Sequence, residues 1–259
     1  YCLDEGDRLE PGSTLMQISG RYSDFGLYET VLLGMMASSS AWATAAAECK
    51  EAGDGSQVIC FGARHIHPAV APVMERAAMI GGVDGCSCIL GALLAGQRPT
   101  GTIPHAAILI AGDTLKISRA FDECIEEEVP RIILVDTFKD EAEESLRIAE
   151  ELKERLTGVR LDTPSERGGV SPDLVYEVRR RLDIAGYDYV KLVVSGGLSP
   201  DRIKELKAAG ADVFGVGSYI STATPIDMTM DLKEIDGKPL AKRGRIPGPA
   251  PKDHLHRKL

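Results

Sequence analysis

A strand–helix–strand unit at residues 191–221 constrains the fold of this 259-residue chain more than any other feature of the sequence. Its first apolar run ends in Ser195-Gly196-Gly197, and its second ends in Gly217-Ser218. Between them, Ser199 is a suitable helix N-cap and Pro200 follows at the first helical position. This pattern predicts a parallel βαβ unit with a glycine turn at the carboxyl end of both strands.

The two glycine turns predict a phosphate-binding site. Glycine allows the backbone to approach a phosphate closely, so that main-chain N–H groups can point at its oxygens. In α/β barrels the loops after the last strands commonly bind phosphate. Either turn alone could serve only to reverse the chain, but two in consecutive strands favour the phosphate site. We therefore assign phosphate binding to Ser195, Gly196, Gly197, Gly217 and Ser218.

The same alternation of strands and helices runs through residues 57–223. About seven apolar runs read as strands, and helical patterns separate most of them. We therefore predict an α/β fold, with an irregular, about seven-stranded parallel barrel over residues 57–223. Residues 24–56 are predicted as a connecting helix. Residues 1–23 and 224–245 are predicted to form part of a small α+β sheet domain made from both chain ends, with a tail or linker at 246–259.

Charged or titratable side chains follow the ends of several predicted strands. They are Arg64, Asp84, His105, Asp136, Arg160 and Asp162. Singly, each has a structural explanation, such as capping a helix or bonding a backbone carbonyl. In a parallel barrel, however, the carboxyl ends of all strands meet at one rim. Arginines for phosphate oxygens, and carboxylates for ribose hydroxyls and Mg²⁺, predict a site for a phosphorylated sugar there.

Composition argues against several classes of partner. A formal net charge of −9 disfavours binding to nucleic acid or to an anionic membrane surface. No apolar run is long enough to span a bilayer. The six cysteines form no CxxC pair, and several lie in apolar runs, as reduced buried thiols do. The sequence therefore predicts a soluble, cytoplasmic protein with no nucleic-acid or membrane partner.

Seven motifs along the chain together resemble one enzyme family. In chain order, starting at residue 61 and ending at residue 218, they read FGARHIHP, GGVDGCS, GTIPHA, LVDTF, RLDTPSERGG, VSGGL and FGVGS. In this order they resemble nicotinate phosphoribosyltransferase, especially its archaeal-type members, among the type II phosphoribosyltransferases. The resemblance covers nearly the whole chain, and its specificity lies in the number and order of the motifs.

The resemblance implies a reaction and a set of partners. The family makes nicotinate mononucleotide and pyrophosphate from nicotinate and phosphoribosyl pyrophosphate in NAD biosynthesis, with coupled hydrolysis of ATP as co-substrate. It also implies Mg²⁺ and a homodimer or larger homo-oligomer with shared active sites. Archaeal-type members carry a C-terminal zinc-knuckle-like extension, whose cysteines are not found after Arg243. From the same resemblance we expect that the segment which begins the small sheet of the family is missing from this sequence.

The resemblance also implies roles for individual residues. His105 would be transiently phosphorylated by ATP, with His67 as a weaker candidate for that role. Asp136 and Asp162 would take part in catalysis and bind ribose hydroxyls and Mg²⁺. Nicotinate would contact Phe61, Arg64 and Asp84. Ribose and phosphate groups would contact Arg160, Asp162, Ser195, Gly196, Gly197, Gly217 and Ser218.

Three alternatives remain open on the sequence. A quinolinate phosphoribosyltransferase shares the barrel and the donor, but it releases CO₂ without ATP and would need several cations for a dicarboxylate. A nicotinamide phosphoribosyltransferase would differ by one polar group of its acceptor. A non-catalytic barrel that binds phosphoribosyl pyrophosphate would retain the glycine turns as well.

Overall fold

The computed structural model describes residues 1–258, which belong to two compact units. One unit contains Tyr1–Ala41 together with the C-terminal residues from Thr224 onward, and the other contains Trp42–Ala223. Over the described residues, no helix combines the length and the apolar character needed to cross a lipid bilayer.

Six parallel strands form the sheet of the second unit. They are β1 Gln57–Cys60, β2 Gly85–Cys86, β3 Arg131–Leu134, β4 Leu156–Leu161, β5 Lys191–Ser195 and β6 Val213–Val216. Their order across the sheet is β2-β1-β6-β5-β4-β3, and every neighbouring pair is parallel. The sheet is a curled half-barrel with β2 and β3 as its edges. The predicted α/β fold class is therefore confirmed.

Helices separate most of the successive strands. In the described chain they are α1 Tyr22–Phe25, α2 Glu29–Gly53, α3 Ala71–Ile80, α4 Ile89–Leu94, α5 His105–Ala111, α6 Thr114–Cys124, α7 Glu141–Leu152, α8 Pro172–Ile184, α9 Pro200–Ala208 and α10 Ser218–Ser221. Asp140 and Ser171, like the predicted cap Ser199, are residue types that the sequence favours at helix N-caps. The side chains of all three accept hydrogen bonds from backbone N–H groups in the first turns of α7, α8 and α9.

One predicted strand is a loop in the structure. Residues 100–104 contribute no strand to the sheet, although the N–H of Thr100 donates a hydrogen bond to the carbonyl of Cys86. Gly101 and Pro104 explain the difference, because proline cannot donate to a strand ladder and glycine weakens a strand. The sheet therefore has six strands, and this loop leads directly into His105 at the start of α5.

Alternation along the strands decides which side chains meet. One face of the sheet packs against the helices, and Phe214 is among its fully buried side chains. The other face carries a small apolar cluster of Ile59, Val193 and Val213. In β4 the two neighbours of Arg160 both pack in the larger core. Arg160 therefore points to the face that carries the smaller cluster.

The first unit contains short antiparallel pairings. β7 Glu234–Ile235 and β8 Lys238–Pro239 form a hairpin, as the turn sequence between them predicts. Cys2 makes isolated antiparallel bridges to Met16 and His256. Both ends of the chain therefore contribute to this small unit.

Candidate active site

Arg160 is the centre of a polar cluster at the carboxyl edge of the sheet. Its guanidinium donates hydrogen bonds to Ser195 Oγ at 2.9 Å, to Thr102 Oγ1 at 2.7 Å and to Asp162 Oδ2 at 3.1 Å. It also lies 5.2 Å from the centroid of the Phe61 ring, within range of a cation–π interaction. Three of its five N–H groups are used in this way, which leaves two that could bind an anion.

The first glycine turn lies beside this cluster. Ser195 Oγ donates a hydrogen bond to Asp162 Oδ1 at 2.8 Å. Gly196 and Gly197 follow with φ angles of +97° and +63°, which favour glycine. A Cβ atom on Gly196 would also lie 3.3 Å from Asp162 Oδ1, a tight contact, so space as well as conformation favours glycine there. Both glycines are exposed, and their backbone is accessible to a ligand.

The second glycine turn packs against the loop after β1. A Cβ atom on Gly215 would overlap the Phe61 ring, and one on Gly217 would lie 2.7 Å from His65 Nε2. The exposed Ser218 then begins α10. Gly215 within β6 and Gly217 directly after it therefore make room for two side chains of the neighbouring loop, a reason that the sequence pattern does not reveal.

His105 and Asp136 form a second polar group in the site. Nε2 of His105 lies 3.1 Å from Oδ2 of Asp136. The Asp136 side chain is fully buried, whereas 41% of the His105 side chain is exposed. Burial raises the pKa of the Asp136 carboxyl group, the hydrogen bond to His105 opposes this shift, and the nearby charge of Asp162 adds to it. Asp136 thus holds an imidazole that remains accessible to a ligand.

Two buried oxygen atoms of this group have no partner. Asp136 Oδ1 and Thr137 Oγ1 make no hydrogen bond within the described part of the chain. Buried polar atoms normally have hydrogen-bond partners, and the exceptions often lie in functional sites. These two atoms therefore mark the end of β3 as a position where a substrate group or a cation can be bound.

The loop after β1 carries an available cation. Arg64 lies in the 3-10 turn Gly62–His65, is exposed, and has no hydrogen-bond or ion-pair partner among the residues that the structure describes. Nδ1 of His67 instead accepts a hydrogen bond from the N–H of Ala69 at 3.1 Å. Arg64 is therefore free to bind an anion, while His67 has a local structural role.

Asp84 lies away from the cluster, and its prediction as a contact of the pyridine ring is wrong. Its carboxylate accepts a hydrogen bond from the N–H of Val58 at 2.7 Å and forms an ion pair with Lys50 at 2.7 Å. Val58 is near the start of β1, so Asp84 lies at the amino edge of the sheet. The physical reason is that the strand begins only at Gly85, so Asp84 precedes β2 instead of ending it.

Three residues that the sequence analysis did not select support the loops of the site. Thr102 accepts the hydrogen bond from Arg160 described above. Glu141 is buried and accepts a hydrogen bond from Thr163 Oγ1 at 2.8 Å, next to Asp162. Glu75 is fully buried on α3 and contacts the loops after β1 and β2. Only Thr102 had a sequence signal, since it lies three residues before His105 within one motif.

Two family models match the chain. The C-terminal domain of quinolinate phosphoribosyl transferase matches residues 42–231, and its N-terminal domain matches residues 1–40. The parallel α/β sheet, with polar side chains and glycine turns at its carboxyl edge, thus has the architecture of a type II phosphoribosyltransferase. The chain belongs to the quinolinate phosphoribosyl transferase family.

Individual relatives agree with this membership. A solved structure of nicotinate-nucleotide pyrophosphorylase from Pyrococcus furiosus is 50% identical, with a TM-score of 0.92 over 96% of this chain and 64% of that one. Nicotinate phosphoribosyltransferase pncB1 of Mycobacterium tuberculosis is 31% identical over 92% of this chain and 54% of its own length. Nicotinate phosphoribosyltransferase of Bacillus subtilis is 29% identical over 86% of this chain. The chain spans about half the length of these curated relatives.

The comparisons correct the predicted reaction. The motifs predict an ATP-coupled nicotinate phosphoribosyltransferase, and this prediction is wrong. Both family models describe quinolinate phosphoribosyl transferase, and the structure that is 50% identical is a nicotinate-nucleotide pyrophosphorylase. The proteins named nicotinate phosphoribosyltransferase are more distant, at about 30% identity. The motifs are therefore those of the broader family, and they do not separate its branches.

Proposed function

We propose that this protein is a quinolinate phosphoribosyltransferase. In this reaction the pyridine nitrogen forms a bond to C1 of the ribose of phosphoribosyl pyrophosphate, and pyrophosphate leaves. Loss of the 2-carboxylate as CO₂, followed by protonation of that carbon, gives nicotinate mononucleotide. The observation that carries the proposal is the match of both quinolinate phosphoribosyl transferase domain models over residues 1–40 and 42–231. The arrangement around Arg160 supports it.

The donor is proposed to bind at the two glycine turns. Gly196 and Gly197 present an exposed backbone beside Ser195, and Gly217 precedes the exposed Ser218. Backbone N–H groups in such turns suit the terminal phosphate of a sugar. Arg160 would use its two remaining N–H groups for phosphate oxygens. Asp162, already oriented by Ser195 and Arg160, would accept hydrogen bonds from ribose hydroxyls.

Mg²⁺ is proposed to enter the site with the donor. This site supplies two carboxylates, Asp136 and Asp162. They are not part of a cluster of three possible metal ligands, since the cluster found among the described residues consists of Asp4, Asp7 and His256. One or two carboxylates together with substrate phosphates are typical of Mg²⁺ sites. Asp136 Oδ1, which has no hydrogen-bond partner among residues 1–258, fits such a role. The ion would neutralise charge that develops on pyrophosphate as it leaves.

The acceptor is proposed to bind between the loop after β1 and His105. Arg64 would pair with a carboxylate of the pyridine, since it is exposed and has no partner among the described residues. His105, fixed by Asp136, would donate a hydrogen bond to the reacting groups. Because pyrophosphate departs from an oxocarbenium-like ribose, the site mainly supplies positioning and charge stabilisation. The homo-oligomer and the ATP dependence predicted from the motifs have no support in this geometry.

Product analysis with the full-length protein tests this proposal. Phosphoribosyl pyrophosphate and Mg²⁺ are supplied with quinolinate, nicotinate or nicotinamide, each with and without ATP, and mononucleotide and CO₂ are measured. We expect nicotinate mononucleotide and CO₂ in equal amounts from quinolinate, unchanged by ATP and abolished by a chelator of Mg²⁺. Product from nicotinate or nicotinamide, with none from quinolinate, would overturn the choice of acceptor. Binding of the donor without any product would instead indicate a non-catalytic protein.

A further inference from the structure

Glu75 is a buried carboxylate that the proposed reaction does not use directly. It lies on α3, and its side chain is fully shielded from solvent. Burying a carboxyl group is unfavourable unless it is well hydrogen-bonded. The partners of this side chain therefore indicate what it does in the fold.

The partners of Glu75 come from two loops of the site. Oε1 accepts hydrogen bonds from the N–H of Ala63 at 3.2 Å and from Ser87 Oγ at 2.8 Å. Oε2 accepts one from the N–H of Cys88. Ala63 belongs to the loop after β1, whereas Ser87 and Cys88 follow β2. One carboxylate therefore joins the loops that follow two neighbouring strands.

The surroundings leave Glu75 little freedom to move. Gly91 on α4 packs so closely that an added Cβ atom would lie 3.1 Å from Cβ of Glu75. The buried thiols of Cys60 and Cys86 also lie near the carboxylate. Burial raises the pKa of Cys86 to about 12, and the negative charge of Glu75 adds to this shift. The carboxylate is therefore held from several sides while it binds the two loops.

Arg64 connects this tether to the site. It follows Ala63, whose N–H is bound to Glu75, and its own guanidinium has no partner in the described chain. An exposed arginine has many rotamers, so the direction in which it reaches depends on its backbone. Fixing the backbone at Ala63 reduces the freedom that Arg64 loses when it binds an anion.

We propose that Glu75 is a positioning residue that sets the affinity for the acceptor carboxylate by fixing the loop that carries Arg64. This inference rests on the proposed function, since it takes a pyridine carboxylate as the ligand of Arg64. The proposed donor site also borders this loop, since Gly217 packs against His65, but the tether is at Ala63, directly before Arg64. Glu75 therefore acts on the KM of the acceptor more than on the KM of the donor.

The first test replaces Glu75 by glutamine in the full-length protein. A glutamine can still accept hydrogen bonds from Ala63 and Ser87, but its amide nitrogen then faces the N–H of Cys88. Loss of one hydrogen bond to a charged group predicts a rise of about tenfold in the KM for quinolinate. The KM for phosphoribosyl pyrophosphate should change less than about twofold. Equal increases in both constants would overturn the proposal.

Glu144→Gln is the matched control. Glu144 is also fully buried, but it lies on α7 and accepts hydrogen bonds from Arg147, a side chain of the same helix. This variant should lose stability without a selective rise in the acceptor KM. A selective rise in Glu144→Gln would show that the effect in Glu75→Gln reflects general loosening of the fold.

A double-mutant cycle tests whether Glu75 acts through Arg64. Arg64→Ala alone should raise the acceptor KM by about tenfold or more, because a charged pair with the substrate is lost. If Glu75 only positions Arg64, Glu75→Gln adds less than about twofold to Arg64→Ala. Multiplicative effects in the double variant would overturn the proposed route.

Amide hydrogen exchange tests the tether without turnover. Glu75→Gln should speed exchange at residues 61–65 and 87–88, and Glu144→Gln should leave both segments protected. Ser87→Ala, which removes one of the hydrogen-bond donors to Glu75, should give a smaller increase and provides a milder variant if Glu75→Gln folds poorly. Unchanged exchange in both Glu75→Gln and Ser87→Ala would contradict the proposal that Glu75 fixes the two loops. If the wild type makes no product from quinolinate, the proposed function fails. The hydrogen-exchange result still decides in that case whether Glu75 fixes the two loops.

Discussion

The two edges of the parallel sheet use the same residue type for opposite purposes. At the amino edge, Asp84 accepts a hydrogen bond from the N–H of Val58, and Asp212 accepts one from the N–H of Leu192, both at 2.7 Å. At the carboxyl edge, Asp136 is fully buried and one of its oxygens has no partner among the described residues. At the amino edge the carboxylates are used to bind backbone N–H groups of the strands, whereas at the carboxyl edge a carboxylate oxygen is left that could bind a ligand.

The difference extends to the backbone and to the cations. Lys50 at the amino edge is paired with Asp84, whereas Arg64 at the carboxyl edge has no partner in the described chain. The turn after β5 places Gly196 and Gly197 at positive φ, which costs stability unless the residue is glycine. Functional sites often contain such features, because the groups are arranged for a ligand and not for the fold alone.

The largest expected effect of a single substitution is that of His105→Ala. It removes the accessible imidazole that Asp136 holds, and loss of a positioned acid–base or hydrogen-bonding group lowers rate by about 10²- to 10⁴-fold. The variant should also lose about 1–3 kcal/mol of stability, because the buried Asp136 carboxyl loses its hydrogen bond to His105, so activity is measured well below the melting temperature. Steady-state kinetics with quinolinate measure the effect. A kcat within about threefold of the wild type would remove His105 from the mechanism.

Arg160→Lys should have a smaller but still large effect on activity. Lysine keeps the charge but cannot reach Ser195, Thr102 and Asp162 together, since it lacks the planar fork of the guanidinium. Loss of two such hydrogen bonds predicts a decrease in kcat/KM of about 10- to 100-fold. The KM for phosphoribosyl pyrophosphate should account for much of it. A variant with normal donor affinity would show that Arg160 only supports the loops.

Asp84→Ala tests the opposite edge. The N–H of Val58 would lose the Asp84 carboxylate, and the ammonium of Lys50 would keep only the carbonyl of Ser56, so we expect a loss of about 1–2 kcal/mol in the free energy of unfolding. The kcat should stay within about twofold of the wild type. Urea unfolding and steady-state kinetics on the same preparation measure both quantities. A loss of activity with unchanged stability would show that Asp84 has a role in the active site after all.

The smallest expected effect concerns pH. Burial raises the pKa of Asp136 in the folded protein above its unfolded value, so its contribution to stability is greatest below about pH 4, the ordinary range of an aspartate, and is lost as pH rises through the folded pKa. Asp136→Asn should therefore flatten the decrease in stability over that window. Urea unfolding from pH 4 to 7 compares the two proteins. Parallel profiles would show that Asp136 titrates normally.

Local sequence patterns predicted the parts of the fold that depend on neighbouring residues. The caps at Asp140, Ser171 and Ser199 and the glycine turns after β5 and β6 are found where the sequence places them. Asp84 was placed at the wrong end of a strand because β2 contains only Gly85–Cys86, too short for its limits to be read from hydrophobicity. The motifs predicted the family correctly but not the reaction. Quinolinate and nicotinate differ by one carboxylate, so enzymes for the two substrates need to differ at only a few residues.

The sequence by itself determined the parallel α/β class, the glycine turns and the residues from which a phosphoribosyl site can be built. Only the tertiary structure decided which of them meet: Arg160 with Phe61 and Thr102, His105 with Asp136, and Glu75 with the loops after β1 and β2. The physical reason is that periodicity and capping act over a few residues of chain. These contacts instead join segments 12 to 99 positions apart, and they depend on strand order, register and side-chain direction.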